Sequence, residues 1–189
     1  MRQDARANAA ISILDNFLVG QNLNSILLRW AKNNRYAGSS DREAIRNIVF
    51  DVLRVKKTLT SVLEKEKQPI NGRALVFLYS VFYELNLNDI FTGQEYGPEK
   101  LTNFEKEFSK VSKENINGCF GITDNIPDFL IAEFKRSLGK KFEKVMRLLE
   151  KRAPISIRIN PLKSDISSLL ECLSLEGIKG KKSKRVRYG

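Results

Sequence analysis

The chain has 189 residues and no histidine, with 33 lysines and arginines against 22 acidic residues and a formal charge of +11. The missing imidazole removes the commonest general base, the Ser/His and Cys/His nucleophile pairs and any histidine metal site, while the charge points to a polyanionic partner. No apolar run approaches the roughly 20 residues of a membrane span, the first residues lack the apolar centre of a signal peptide, and Cys119 and Cys172 show no CxxC spacing, so a cytoplasmic protein without structural zinc is expected.

The length allows one domain plus an appendage. Ala7, Ala10, Ile11, Leu14, Phe17 and Leu18 recur at helical spacing until Gly20 ends the run. Arg2 and Arg6 lie one turn apart at its start, which places both on one face. Asn24 is expected to cap a short helix through Ile26, Leu27, Trp30 and Ala31, and 33–39 reads as a loop.

The stretch 39–57 is expected to be the helix around which the rest is organised. Ser40 and Glu43 have capping-box spacing. Ala44, Ile45, Ile48, Val49, Val52 and Leu53 form an apolar stripe wide enough to need neighbours on both sides, while Arg42, Arg46, Asp51 and Lys56 lie off it. A short helix is expected over 58–65. Ala74, Phe77, Leu78, Val81, Phe82 and Leu85 then mark the most apolar helix, expected to cross 41–55 as plain core and not as a cofactor box.

Residues 86–97 read as a loop, and Pro98 as the first turn of a helix carrying Leu101, Phe104, Phe108 and Val111. A second loop is expected over 115–125, holding Gly118, Cys119 and Gly121. With no histidine or basic cluster to activate it, Cys119 reads as a buried or incidental thiol and not as a nucleophile. Pro127 opens a helix with Leu130, Ile131, Phe134 and Leu138, and Phe142, Val145, Met146 and Leu149 make another.

At Ala153 the period changes. In APISIRINP, Ile155, Ile157 and Ile159 alternate with Ser156, Arg158 and Asn160, the pattern of a half-buried strand. Ser164 is expected to cap a helix with Ile166, Leu169, Leu170 and Leu173 that Gly177 stops. Six of the eleven net positive charges follow Glu176: Lys179, Lys181, Lys182, Lys184, Arg185 and Arg187. A strand, a helix and the approach to another strand cannot close a sheet, so the second unit reads as cut off.

The order of ARANAAISILDNFL, SDREAIRNIVFDVLR, PDFL and APISIRINPLK resembles the N-terminal part of the Sun-type bacterial RNA (cytosine-5) methyltransferases, whose first domain is similar to the transcription antitermination factor NusB. The resemblance implies a mainly α fold, with a NusB-like helical domain over 1–152 and the truncated start of a small α/β, ferredoxin- or RRM-like RNA-binding domain over 153–189. The loop KENINGCFG departs from a helix usual in that family. Catalysis there belongs to a further S-adenosylmethionine domain with two Pro-Cys cysteines. Neither Cys119 nor Cys172 follows a proline and no glycine-rich nucleotide loop is present, so no catalytic residue, metal or cofactor site is expected in this chain.

The resemblance therefore implies the RNA-binding front of a methyltransferase of small-subunit ribosomal RNA, inactive alone. The candidate RNA contacts are Arg2, Arg6, Arg158, Asn160, Lys163, Lys181, Lys182, Lys184, Arg185 and Arg187, with Tyr188 as a weaker stacking candidate. A ribosomal or transcription protein is a further expected partner of the helical domain. Two other readings stay open: a free NusB-like antitermination factor, and a helical protein-interaction domain whose charge only keeps it soluble.

Overall fold

The computed structural model describes residues 1–115 and 125–183, with backbone alone for 111–115. The loop expected around Cys119, and Lys184, Arg185, Arg187 and Tyr188, lie outside the described residues. Those residues form helices α1 (Gln3–Leu18), α2 (Leu23–Asn33), α3 (Ser39–Arg54), α4 (Lys56–Lys65), α5 (Gly72–Phe82), α6 (Leu87–Ile90), α7 (Asn103–Asn115), α8 (Asp128–Leu138), α9 (Phe142–Leu149) and α10 (Ile166–Leu175). A 3-10 turn, Gly139–Lys141, joins α8 to α9. The chain divides into two compact units, Met1–Glu150 and Lys151–Gly189.

In the first unit the organising helix is α1. It packs against α2, α3, α5 and α6, whereas α3 lies on α1 and α5. The small side chains of Ala7 and Ala10, both buried, let neighbouring backbones come close to α1. Closest is α5: a Cβ on Gly72 would stand 2.3 Å from the Ile11 carbonyl oxygen, and the Gly72 N–H donates to Asp15 Oδ1 at 2.6 Å. The α3 stripe does face the core, with Ile45, Val49 and Val52 at most 1% exposed. Burying each such side chain contributes roughly 1.5–3 kcal/mol. Helix α5 touches α3 as the periodicity implies but lies chiefly along α1.

The expected helix starts need four corrections, each decided by which side chain reaches a free N–H. No side chain caps α3: Gly38 is its N-cap, so Ser40 already lies inside the helix and cannot take the extended geometry of a cap. Asn22, not Asn24, caps α2 by accepting from the Ser25 N–H at 3.2 Å. The capping box of this chain is Thr102 with Glu105. Thr102 Oγ1 accepts from the Glu105 N–H at 3.2 Å and Glu105 Oε2 from the Thr102 N–H at 2.8 Å. Helix α7 therefore starts at Asn103, and Pro98 sits in the loop before it. Asp165, not Ser164, caps α10, accepting from the N–H groups of Ser167 and Ser168 at 2.8 and 3.1 Å. The expected loop 86–97 also contains α6, capped by Asn86.

Helices α8 and α9 share a small core of Ile126, Phe142 and Met146. Polar bonds tie this layer to α4: the buried Thr58 donates through N–H and Oγ1 to Asn125 Oδ1 at 3.2 and 3.0 Å, and Lys57 Nζ donates to the Ile126 carbonyl at 3.0 Å and Asp128 at 2.7 Å.

The second unit holds α10, and the strand expected over 153–161 is not formed. Among the described residues no ladder exists, and Ile155 and Ile157 are 94% and 54% exposed while Ile159 is buried. Alternation supplies one face of a strand, but its N–H and C=O groups need a partner strand. The fold is thus mainly helical, and no helix among the described residues is long and apolar enough to cross a membrane.

Candidate nucleic-acid interface

Arg2 and Arg6 both flank the start of α1, but the fold already engages them. Arg6 forks onto Asp41 of α3 through Nε at 2.9 Å and a terminal nitrogen at 2.7 Å, and the terminal ammonium of Met1 donates to the same oxygen at 3.0 Å. Those two donors hold the Asp41 carboxyl below the usual carboxylate range. Arg2 bridges Asp4 at 3.2 Å and the Glu95 carbonyl at 2.6 Å. Asp4 is buried, which by itself raises its pKa, but the Thr92 hydroxyl, the Ala5 N–H and Arg2 outweigh burial and leave it lowered. This cluster stitches α1 to α3 and to the loop before Pro98. What it leaves toward solvent is the Arg2 guanidinium, whose side chain is 56% exposed against 32% for Arg6.

In the second unit Arg158, Lys163, Lys181 and Lys182 are exposed. Asn160 is exposed too, but its Oδ1 accepts from the Leu162 N–H at 3.0 Å while its carbonyl accepts from Lys163 and Ser164. It builds the turn that ends the 153–161 run, an Asx turn that leaves its amide NH2 for other contacts. Arg158, Asn160 and Lys163 thus share one short segment.

No cation between residues 35 and 46 is among the RNA contacts expected from the sequence. Yet Arg35, Arg42 and Arg46 are exposed, and so are two aromatic rings of the same stretch, Tyr36 and Phe50. The signal was available in the i, i+4, i+8 spacing of Arg42, Arg46 and Phe50.

Among the described residues no group of three His, Cys, Asp or Glu side chains could hold a metal ion, and every buried side-chain polar atom has a hydrogen-bond partner. A cavity of about 190 Å³ between α4, α5 and α7 is walled by Leu63, Phe77, Phe104 and Phe108, and the charged pair lining it, Arg73 with Glu105 at 2.8 Å, is closed on itself.

No curated protein matches the chain. Residues 126–189, about a third of the sequence, match the family model described as Methyltr_RsmF/B-like, ferredoxin-like domain. The match supports the methyltransferase resemblance of the C-terminal part, and it begins at the residues that pack α8 and α9.

Proposed function

We propose that this chain is an RNA-binding module of the RsmF/B-like, Sun-type RNA (cytosine-5) methyltransferases, acting on ribosomal RNA and contributing no catalytic group of its own. The observation that carries this reading is the family match over 126–189, on a segment whose cations at 158, 163, 181 and 182 are exposed. A helical first unit suits a NusB-like domain, and the exposed Ile155, Ile157 and Leu162 are what an α/β domain would cover with further strands.

The test is RNA titration at several salt concentrations with the whole chain and with one ending at Gly177. Four to six phosphate contacts to a single strand give log K against log salt a slope of about −3 to −4. Equal slopes from both proteins remove the tail, with Lys181, Lys182, Lys184, Arg185 and Arg187, from the footprint. Labelled methyl transferred from S-adenosylmethionine to cytosine by this chain would overturn the non-catalytic assignment.

A further inference from the structure

Some arginines of the first unit are engaged by carboxylates of the fold and others face solvent. Arg6, Arg54 and Arg73 close on carboxylates of Asp41, Asp51 and Glu105 at 2.7, 2.7 and 2.8 Å. The side chains of Arg35, Arg42 and Arg46 are exposed and make no hydrogen bond or ion pair with another described residue. Arg42 and Arg46 stand four residues apart on α3, and four more lead to Phe50, which is 39% exposed. At 1.5 Å per residue these positions are spaced about 6 Å along the helix, forming one ridge beside the buried stripe. Just before α3 a tight turn, closed by the Ala37 N–H on the Asn34 carbonyl at 3.1 Å, carries Arg35 and Tyr36 at its tip. Tyr36 is 72% exposed, and its hydroxyl donates to Asn34 Oδ1 at 3.0 Å.

Unpaired guanidinium groups interleaved with exposed rings are the combination that binds single strands, because the cations track phosphates while the rings take the faces of unstacked bases. A protein partner would more naturally meet a ridge whose charges were balanced or whose apolar area was continuous. The neighbouring carboxylate, Glu43, is exposed and pairs with neither Arg42 nor Arg46, so it stands as an uncompensated negative charge beside the ridge.

We propose that the ridge of Arg42, Arg46 and Phe50 on α3, with Arg35 and Tyr36 at its head, is a contact surface for single-stranded RNA. The proposal deepens the RNA-binding reading and rests on it. Arginines 35, 42 and 46 neutralise phosphates, and Tyr36 and Phe50 stack on bases, so the first unit carries an RNA contact surface of its own.

The experiment uses the whole chain and a labelled single-stranded RNA of mixed sequence, titrated by anisotropy over a range of salt. The Arg42→Gln/Arg46→Gln variant is expected to lower the magnitude of the salt slope by about 1.4, two contacts at about 0.7 each. Tyr36→Ser and Phe50→Leu are each expected to weaken binding about tenfold with the slope unchanged. Leucine at 50 keeps the packing that folding needs. Glu43→Gln is expected to tighten binding, an effect a merely structural role would not give. Circular dichroism confirms that each variant is folded. Unchanged slope and affinity in all ridge variants, with binding lost on Lys181→Gln/Lys182→Gln, overturns the ridge and leaves the RNA-binding reading standing. Absence of salt-dependent RNA binding by the wild-type chain overturns both. Equal affinity for duplex RNA, with no effect of Tyr36→Ser or Phe50→Leu, overturns the single-strand assignment.

Discussion

Arg6 shows how a residue's partners change its meaning. From the sequence it is one of two cations at a helix start, where positive charge opposes the macrodipole and hints at an external anion. In the structure the anion is internal, Asp41 of α3, shared with the Met1 ammonium. Arg6→Ala is therefore expected to lower Tm, with Arg6→Lys intermediate because a point charge cannot reproduce the fork. A Tm unchanged in Arg6→Ala would return this residue to the RNA-facing set. Glu105 supports a sharper test. Burial raises its pKa, but Arg73 and the Thr102 N–H outweigh burial and hold the carboxyl below its ordinary value of 4.5. A depressed folded pKa means that the stabilisation is complete above the unfolded value and is lost as pH falls through the folded one. Thermal melts should hence show Tm falling below about pH 4.5, with Asp4 and Asp41 adding to the loss at lower pH, since both are lowered from 3.8. Arg73→Ala removes the chief partner of a buried carboxylate at a cost of about 1–3 kcal/mol. It should also flatten the Glu105 part of the acid loss, because burial then acts without its main opponent.

At the scale of elements, periodicity located the major helices, and their ends were harder to read. Three candidate caps and one proline were misplaced because S-x-x-E, N and S occur more often than caps do, and a cap is chosen by backbone geometry that neighbours impose. Thr102 with Glu105 has the same spacing as Ser40 with Glu43, yet only the former closes, since its threonine lies outside the helix. Thr102→Ala should destabilise by about 1 kcal/mol, read in urea melts, while Ser40→Ala should leave the midpoint unchanged. The α1–α5 crossing gives the other element-scale test. Gly72→Ala forces a methyl against the Ile11 carbonyl, and neither backbone can yield without moving a helix. A loss of about 1–3 kcal/mol is expected from such overpacking. Nothing in the sequence around Gly72 announces this, because the opposing atom is 61 positions away in the chain.

Across the whole molecule, the two units differ in what they bury. The core that joins α1 through α7, and the smaller one under α8 and α9, belong to Met1–Glu150, whereas Ile159 is the one buried apolar residue among the described residues of Lys151–Gly189. A protein ending at Glu150 is thus expected to keep a cooperative thermal transition with Tm near that of the whole chain, measured by far-ultraviolet circular dichroism. A non-cooperative melt would show that the second unit contributes to the first unit's core. The exposed Ile155, Leu162 and Leu175, at 94%, 93% and 89%, follow from size, since a segment of about 40 residues rarely buries a core by itself.

The sequence by itself determined the helical class of the first unit, its buried stripes and the excess of cations toward the end of the chain. These are local or additive properties: a 3.6-residue period and a sum of charges survive without knowledge of neighbours. Tertiary structure decided the rest. It placed α1 at the centre, since α5 could approach so closely only where Gly72 permits. It turned Arg6 inward and left Arg42 and Arg46 outward, since a guanidinium's availability depends on which carboxylate folding brings within 3 Å. And it withheld a strand from APISIRINP, because alternation provides a face while pairing demands a second strand that sequence periodicity cannot supply.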